Sequence, residues 1–214
     1  MPDTALNRDV QRMSMLAQRR FLFDGRDYRY HVAKGNRTWD NERAVEIPIL
    51  WEELQRRKHP HGVLEVGNVL GHYFDIEHPV LDRYEQHRTV TWNEDIVCFQ
   101  PPFAPELVLS ISTLEHVGHS EQPREPAKFR RALDAIIDWL APGGRLLFTV
   151  PLGYNPAVRD YLDAPHAQRT SLRFMRRITL ENLWVQAAYA EVREHRYNRP
   201  FPCANAIAIV ECAL

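Results

Sequence analysis

The chain has 214 residues, which suffices for one domain with a sizeable core and a modest extension. Hydrophobic residues make up 44% and charged residues 26%, as in ordinary globular proteins that fold in water. The formal net charge is -1, so the composition gives no support for a general role at nucleic acid or at a membrane surface. Without a long apolar run or a signal segment, we expect a cytoplasmic protein.

Residues 1–57 differ in pattern from the rest of the chain. We expect them to form an N-terminal helical or lid-like extension that packs on a core domain of residues 58–214. A mild helical periodicity places Val10, Met13 and Ala17 on one side of a first helix. The stretch AVEIPILWEELQRR predicts a second helix, started or interrupted near Pro48.

From Gly62 onward, short apolar strands alternate with helices. Strands are predicted in GVLEVG, HPVLD, ELVLSIS, RLLFTVP and ANAIAIVECAL, and the nearly continuous apolar run at 107–111 suits a strand buried on both faces. The clearest helix is PAKFRRALDAIIDWLAPGG, with Pro126 in its first turn and a Pro-Gly-Gly stop after it. Residues 173–202 should supply the last helix and strand pair. This alternation predicts an α/β, Rossmann-like, doubly wound sheet, mostly parallel, with helices on both faces.

A candidate site lies at the ends of the first two of these strands. Gly67 ends the first, where a glycine lets the backbone turn sharply and approach a ligand. Asp82 ends the next, where a carboxylate can accept hydrogen bonds from both hydroxyls of a ribose. Val69 occupies the position at which a dinucleotide fingerprint needs its middle glycine, and the connection is too short for a full crossover helix. A nicotinamide-dependent oxidoreductase is therefore disfavoured, and a tight turn with a surface aspartate is the purely structural alternative.

These residues resemble class I S-adenosylmethionine-dependent methyltransferases, whose pattern after the first strand is acidic-x-G-x-G-x-G. Glu65, Gly67 and Gly71 match the acidic residue and the first and third glycines, whereas Val69 replaces the middle one. The stretch PELVLSISTLEHVGH looks like the fourth strand and its Glu-His exit in ubiquinone-type and sugar methyltransferases. FRRALDAIIDWLAPGGRLLFTVP looks like that group's next helix, Pro-Gly-Gly turn and fifth strand. The resemblance covers most of residues 62–214 and implies an antiparallel last strand and S-adenosylmethionine as cofactor.

The resemblance also implies which residues contact the cofactor. They are Glu65, Gly67, Asn68, Gly71, Asp82, Asp95, Ile96 and Ser112. By the same resemblance, Asp82 would hold the ribose hydroxyls, and Asp95 with the backbone of Ile96 would meet the adenine. Ser112, at the end of the fourth strand of that fold, would line the methionine moiety.

Candidate catalytic and acceptor-binding residues come after the later strands. His116 lies just past ELVLSIS, and an imidazole that titrates near neutral pH suits a general base. The alternative is that His116 and its neighbour Glu115 cap a helix or bond across the loop. Tyr154 and Asn155 come after RLLFTVP and would face the acceptor, although turn formation alone could explain them.

Two arginine features could bind anions. Arg43 could pair with a carboxylate of the cofactor or of the substrate, or it could form an internal salt bridge with neighbouring glutamates. A basic cluster of Arg173, Arg176 and Arg177 could attract a phosphorylated or nucleotide-linked sugar, or it could be a solvated helix face.

Histidines and cysteines offer little support for a metal site or disulfides. The close histidine pairs, His59 with His61 and His116 with His119, lack the H-E-x-x-H order, so no metal ligands are predicted and a metal-assisted O-methyltransferase is a minority alternative. The three cysteines are too scattered for a disulfide framework, and we expect reduced, buried thiols.

The predicted function is S-adenosylmethionine-dependent methyl transfer to a small-molecule acceptor. The acceptor atom would be a hydroxyl or amine of a saccharide or secondary metabolite, with neither nucleic acid nor membrane as partner. The main alternative is a non-catalytic binding or scaffold protein of the same fold, which the substitution at Val69 favours. A homodimer is left open by the sequence.

Overall fold

The computed structural model describes residues 4–57, 62–166 and 169–214. Its helices are α1 (Thr4–Ala17), α2 (Arg43–Gln55), α3 (Lys128–Trp139), α4 (Pro156–Asp163) and α5 (Tyr189–Val192). Its strands are β1 (Arg20–Phe23), β2 (Arg26–Arg29), β3 (Val63–Val66), β4 (Val80–Leu81), β5 (Leu107–Ile111), β6 (Arg145–Pro151), β7 (Thr170–Arg177), β8 (Trp184–Ala187) and β9 (Ala206–Ala213). Short 3-10 turns cover Gly35–Asp40, Leu70–His72 and Leu114–His116.

The main sheet has seven strands in the order β4-β3-β5-β6-β9-β7-β8. The neighbours β4, β3, β5 and β6 are all parallel, whereas β9 runs antiparallel to both β6 and β7, and β8 runs antiparallel to β7. The prediction of a Rossmann-like, mostly parallel sheet with an antiparallel last strand is confirmed. The parallel half places the carboxyl ends of four strands along one edge, where open α/β sheets bind their ligands.

The central strands of the sheet are buried on both faces, whereas the edge strand β8 is largely exposed. Side chains alternate along each strand, so Leu107, Leu109 and Ile111 of β5 pack into one hydrophobic cluster while Val108 packs into the other. Every residue of β3 and β5 is buried, which explains why their sequences read as continuous apolar runs.

The N-terminal segment covers one face of this sheet. Leu16 of α1, Phe21 of the β1–β2 hairpin and Leu50 of α2 are buried in the same cluster as the β5 residues. No helix connects β3 to β4; a 3-10 turn does so, and Phe74 beyond it stacks on Trp51 of α2 with ring centroids 3.8 Å apart. Helix α2 therefore helps to cover the surface that a crossover helix would otherwise protect. The division into an extension of residues 1–57 and a domain of residues 58–214 stays a prediction.

The opposite face is covered by α3 and α4. Phe129, Ile136 and Trp139 of α3 are buried against it, and Trp139 meets the ring of Phe99 edge-on at 5.6 Å. The helix begins at Lys128 rather than at Pro126, which lies before its first turn. Pro126 thus precedes the helix instead of forming part of it.

Several local elements differ from the sequence predictions. The β1–β2 hairpin was not predicted, although its Asp24-Gly25 turn, with positive φ at both residues, carries a known hairpin signal. Residues 173–202 contain most of β7, all of β8 and the one-turn helix α5 instead of one helix and one strand. Cys98 is exposed, so the expectation of a buried thiol was wrong for that residue. Within the described ranges, no helix has the length and apolar character to cross a bilayer.

Candidate functional site

A cleft of about 580 Å³ lies where β3, β4 and β5 end. Eight of the residues predicted for the site line it: Arg43, Gly67, Asn68, Asp82, Asp95, Ile96, Ser112 and His116. Glu65, Gly71, Tyr154 and Asn155 are absent from its lining. The structure therefore gathers most of the predicted site, including one residue from the N-terminal segment, around one cavity.

Gly67 begins the turn that comes after β3. Its φ is +85°, and a Cβ at this position would lie 2.1 Å from the Thr113 hydroxyl oxygen, so only glycine fits without displacement. The Gly67 amide donates a hydrogen bond of 2.8 Å to the Leu81 carbonyl, which ties the turn to the end of β4. The glycine is therefore required by close packing against Thr113, and both residues line the cleft.

The buried side chain of Glu65 stabilises this turn. The side chain is fully buried, and its carboxylate accepts hydrogen bonds of 2.8 Å from the amides of Val69 and Leu70 and from the ring of His78. The acidic residue of the motif thus shapes the turn instead of lining the cleft.

The two remaining positions of the glycine motif are set by packing. A Cβ on Gly71 would lie 2.6 Å from the Asn68 amide oxygen and 2.7 Å from the Thr89 hydroxyl, so contacts inside the protein account for this glycine. Val69 is 8% exposed and packs in the cluster that α2 covers. The fold therefore accommodates the Val69 side chain at the position where the motif has its middle glycine.

The carboxylates of Asp82 and Glu85 lie close to the end of β4. Asp82 accepts hydrogen bonds from the amides of Tyr84 at 2.9 Å, Glu85 at 2.8 Å and Asn68 at 3.2 Å. A carboxylate offers about four acceptor positions, so Asp82 retains room for a further donor. Glu85 lines the same wall and accepts from the Asn68 side-chain amide at 3.0 Å, with the ring of His72 at 2.8 Å.

Asp95 belongs to an ion-pair network that the sequence did not reveal. Its carboxylate lies 2.6 Å from both Lys128 and Arg83, and Lys128 also contacts Glu121 at 2.6 Å. Burial favours the neutral acid, but Lys128, the hydrogen bond from the Val97 amide and the charge of Arg83 together outweigh it and lower the pKa of Asp95. Asp95 is therefore ionised and paired with Lys128 and Arg83. A hydrogen bond from adenine to its carboxylate would have to compete with these two cations. Ile96 beside it is buried and lines the cleft.

Ser112 closes the site at the end of β5. It has a φ of +35°, a strained value for a residue with a side chain, and its amide donates to the Thr149 carbonyl at 3.0 Å. Its hydroxyl donates to the Glu46 carboxylate at 2.5 Å. Such strain concentrates at ligand sites and is maintained here by contacts from β6 and α2.

Arg43 crosses from α2 to the end of β5. It donates to the carbonyls of Ile111 at 2.7 Å and Ser112 at 3.2 Å, and it pairs with Glu46 at 3.1 Å. The internal salt bridge considered from the sequence is thus present, while the guanidinium also lines the cleft.

Buried carboxylates surround that guanidinium. Glu42, Glu46 and Glu115 are each at least nine-tenths buried, and Glu115 Oε2 has no hydrogen-bond partner in the described part of the chain. Burial raises the pKa of Glu115 well above its ordinary value, and burial likewise raises the pKa of Glu46. Burial therefore favours the protonated form of Glu115 more strongly than in an ordinary glutamate.

His116 forms a closed triangle of hydrogen bonds with Ser120 and Tyr154. His116 Nδ1 lies 2.9 Å from the Ser120 hydroxyl and 3.1 Å from the Tyr154 hydroxyl, and the two hydroxyls are 3.0 Å apart. Burial, together with the charges of Arg43 and His119, lowers the pKa of His116. A neutral imidazole at neutral pH is the form that can accept a proton.

Asn155 has a structural position behind this triangle. Its carbonyl oxygen caps α4 by accepting from the Ala157 amide at 2.9 Å, and its amide donates to the Glu115 carbonyl at 2.8 Å. The turn explanation therefore accounts for Asn155, which is buried. Tyr154 reaches the cleft through its contacts to His116 and Ser120.

The basic cluster predicted from the sequence is dispersed. Arg177 is 3% exposed and donates to the carbonyls of Asp40 and Pro202, whereas Arg173 pairs with Asp24 and Glu211. Arg176, Arg173 and Arg177 lie on a strand, so they do not form one helix face.

The described histidine, cysteine and acidic side chains do not form a metal site. Among residues 4–57, 62–166 and 169–214, no group of three histidine, cysteine or acidic side chains could hold a metal ion. His59 and His61 lie outside the described residues.

Comparison with known proteins supports the fold. No family model matches the sequence, and no curated protein matches it either. A solved rRNA methylase from Streptococcus thermophilus matches with a TM-score of 0.50 and 11% identity, over 79% of this chain and 96% of that one. The N-methyltransferase NodS from Bradyrhizobium japonicum matches with a TM-score of 0.41 and 13% identity, over 71% of this chain and 84% of that one.

A further match is a precorrin-6Y C5,15-methyltransferase domain, described as putative, from Corynebacterium diphtheriae. Its TM-score is 0.42 and its identity 12%, over 77% of this chain and 93% of that one. At such identities the similarity concerns the fold alone. Of these three matches, the rRNA methylase supports the fold, because its TM-score reaches 0.50. The chain thus has the class I methyltransferase fold that the sequence resemblance implied.

Proposed function

We propose that the chain is an S-adenosylmethionine-dependent methyltransferase whose cofactor binds in the cleft between Gly67 and Ile96. One observation carries the proposal. The ends of three parallel strands converge there on a glycine turn and on carboxylates at the end of β4, which is where this fold class binds ligands.

The residues present fit the cofactor in size and chemistry. A cleft of about 580 Å³ falls in the range of pockets that enclose drug-sized ligands. Asp82 and Glu85 offer acceptors for ribose hydroxyls, and Leu81 and Ile96 offer apolar contacts for an adenine ring. Because Asp95 is held by cations, the polar edge of adenine would be met by backbone around Ile96.

Arg43 suits the carboxylate at the methionine end. A guanidinium has five N–H groups, and the contacts described for Arg43 use three hydrogen bonds, to Ile111, Ser112 and Glu46. The remaining donors could bind a carboxylate at the edge of the cleft, so the two interpretations of Arg43 are compatible. In this proposal Arg43 orients the cofactor and contributes no proton transfer.

His116 is proposed as the base. When bound, the cofactor would supply an activated methyl group on its sulfonium, and the protein must align the acceptor and remove its proton. A tautomer with hydrogen on Nδ1, donated to Ser120 or Tyr154, leaves Nε2, which lies 3.6 Å from the Glu115 carboxyl oxygen Oε1, as the nitrogen that accepts the proton of a hydroxyl or amine. The lowered pKa of His116, caused by burial and by Arg43 and His119, keeps that nitrogen free near neutral pH.

We further propose a small-molecule acceptor. Asp82, Glu85, Glu94 and Glu121 line the same cleft, and their negative charge would repel the phosphate backbone of a nucleic acid. The formal net charge of -1 points the same way.

A non-catalytic binding protein is the second candidate. The buried Val69 in the glycine motif and the engagement of Asp95 by Lys128 and Arg83 favour it, since both alter positions that the resemblance assigns to the cofactor. It predicts no affinity for the methyltransferase cofactor.

Calorimetric titration with S-adenosylmethionine and S-adenosylhomocysteine separates these two candidates. The proposal predicts micromolar binding and, in Asp82→Asn, a loss of affinity of about tenfold or more, because a charged acceptor for hydroxyls is lost. Asp138→Asn, which removes the same charge from an exposed position on α3, should bind like the parent protein. Equal weakening in both variants, or no binding at millimolar ligand, would refute the cofactor assignment.

A further inference from the structure

A second groove lies beside Tyr154, whose hydroxyl contacts the cleft residues His116 and Ser120. It has a volume of about 560 Å³ and is lined by three tyrosines and four arginines, namely Tyr154, Tyr189, Tyr197, Arg159, Arg193, Arg196 and Arg199. Among its lining residues in the described ranges, Glu194 is the acidic one. The groove is therefore strongly basic, in contrast to the acidic wall of the cofactor cleft.

Two of these arginines are neutralised by partners within the protein. Arg193 forms a two-bond contact with Asp163, at 3.0 and 2.8 Å. Arg159 pairs with Glu194 at 2.5 Å and donates to the Arg193 carbonyl at 2.7 Å. These contacts fix one wall of the groove and leave little positive charge there for a ligand.

The other two arginines have no such partner. Arg196 and Arg199 are exposed, and across residues 4–57, 62–166 and 169–214 neither guanidinium makes a hydrogen bond or an ion pair. Their backbones form an antiparallel bridge across a tight turn. Residues paired in this way have their side chains on the same face, so two like charges are held close together.

The position of this turn is fixed relative to the candidate base. A Cβ on Gly153 would lie 2.4 Å from the His195 carbonyl oxygen and 2.8 Å from the Arg196 Cα, so the loop after β6 packs directly on the arginine turn. The next residue, Tyr154, contacts Tyr197 edge-on at 5.1 Å and reaches His116 through its hydroxyl. The loop after β6 thus links the two free arginines to the candidate base.

Neighbouring groups add positive potential. Arg176 Nε is buried and has no hydrogen-bond partner in the described residues. Burial, and then the charge of Arg176, lowers the pKa of His195, which lines the same groove. Arg176 therefore adds positive charge beside the groove.

We propose that this groove binds a phosphate group of the methyl acceptor, held by Arg196 and Arg199, while the reacting hydroxyl or amine lies at His116. Guanidinium groups form paired hydrogen bonds with phosphate oxygens, and the tyrosine wall suits the body of a sugar or an aromatic ring. This inference rests on the proposed methyltransferase function and narrows its acceptor to a phosphorylated small molecule.

The test uses inorganic phosphate as the probe, at constant ionic strength, with amide chemical shifts of the full chain as readout. We expect saturable shifts confined to the residues around Gly153 and Arg196. The variant Arg196→Gln/Arg199→Gln should weaken this binding about tenfold or more, because two charge-assisted contacts are lost. The matched variant Arg29→Gln/Arg88→Gln removes the same charge from exposed positions elsewhere and should leave it unchanged.

Uniform shifts over the surface, or equal weakening in both double variants, would overturn the proposal. Calorimetry with S-adenosylhomocysteine on the same proteins tests the proposed methyltransferase function separately from the phosphate site. Retained cofactor binding together with absent phosphate binding refutes the phosphate site alone. Phosphate binding without cofactor binding would instead refute the proposed methyltransferase function, and with it the assignment of the phosphate to a methyl acceptor.

Discussion

The turn after β3 and the loops after β5 and β6 line adjoining cavities but are built differently. In the turn, the carboxylates of Glu65 and Asp82 each accept three hydrogen bonds from within the protein. In the second region, His116 of the loop after β5 is half exposed. Arg196, in the turn on which the loop after β6 packs, is exposed without an internal ion pair in the described residues. The first region is fixed before any ligand arrives, whereas the second retains free donors and acceptors.

This difference separates two tasks. A cofactor common to many enzymes needs a pre-organised turn, and internal bonds provide it with little loss of entropy on binding. An acceptor must be recognised by groups that the protein has left unsatisfied, which is the state of the arginine turn. The turn should therefore respond to substitution through stability and the loops through ligand binding.

The largest expected effect is on the turn. Glu65→Ala should lower the free energy of unfolding by about 3–5 kcal/mol, because it removes three hydrogen bonds and leaves two amides and the His78 ring without their acceptor. Urea denaturation measures it. Glu181→Ala, at an exposed glutamate, should change stability by at most about 0.5 kcal/mol. A loss below about 1 kcal/mol for Glu65→Ala would show that the turn does not depend on this carboxylate.

The next effect is a pH dependence that arises from Glu115. The folded-state pKa of Glu115 lies well above 4.5, so the folded protein holds a proton that the unfolded chain releases. Stability from this group is complete below the unfolded pKa and falls as pH rises toward the folded pKa. As pH rises from 5 to 8, the free energy of unfolding should therefore fall less in Glu115→Gln than in the parent protein. The difference between the two decreases should be about 1 kcal/mol or more.

Urea denaturation at several pH values measures this difference in slope. Glu181→Gln, which makes the same replacement at an exposed glutamate, provides the control. Identical slopes for Glu115→Gln and the parent would mean that folding does not raise the pKa of Glu115.

The smallest effect concerns His116. Its pKa should lie below 6.5, because burial and the charges of Arg43 and His119 disfavour the imidazolium. Activity that depends on neutral His116 should rise with pH through this pKa and then level off before neutrality. NMR titration of the ring protons checks the pKa without an acceptor. His119→Gln should raise it by a fraction of a unit, since His119 is the third of the three causes; a parent value above 6.5 would contradict the proposed base.

Local patterns explain what the sequence could predict. The buried strands β3 and β5 were evident because strands covered on both faces read as continuous apolar runs. Gly67 and Asp82 were evident because a sharp turn and a polar strand end have short-range signatures. The hairpin at Asp24-Gly25 carried a signal of the same kind that the prediction did not use.

Contacts between distant residues explain what it could not predict. Asp95 meets Lys128 33 positions further on, and Arg43 reaches a carbonyl 68 positions away. Nothing in the spacing of either pair indicates a partner, because tertiary packing brings them together. The same applies to the arginine turn, whose free charge becomes evident only when the partners of Arg159 and Arg193 are known.

The most direct test of the account is a map of amide chemical-shift changes on addition of S-adenosylhomocysteine. If the cleft holds the cofactor, the shifts will concentrate at Gly67, Asn68, Tyr84 and Ile96 and will saturate at micromolar ligand, while the amides of the β1–β2 hairpin stay in place. Shifts that miss the turn after β3, or a spectrum unchanged at millimolar ligand, would contradict the central claim that this turn is a cofactor site.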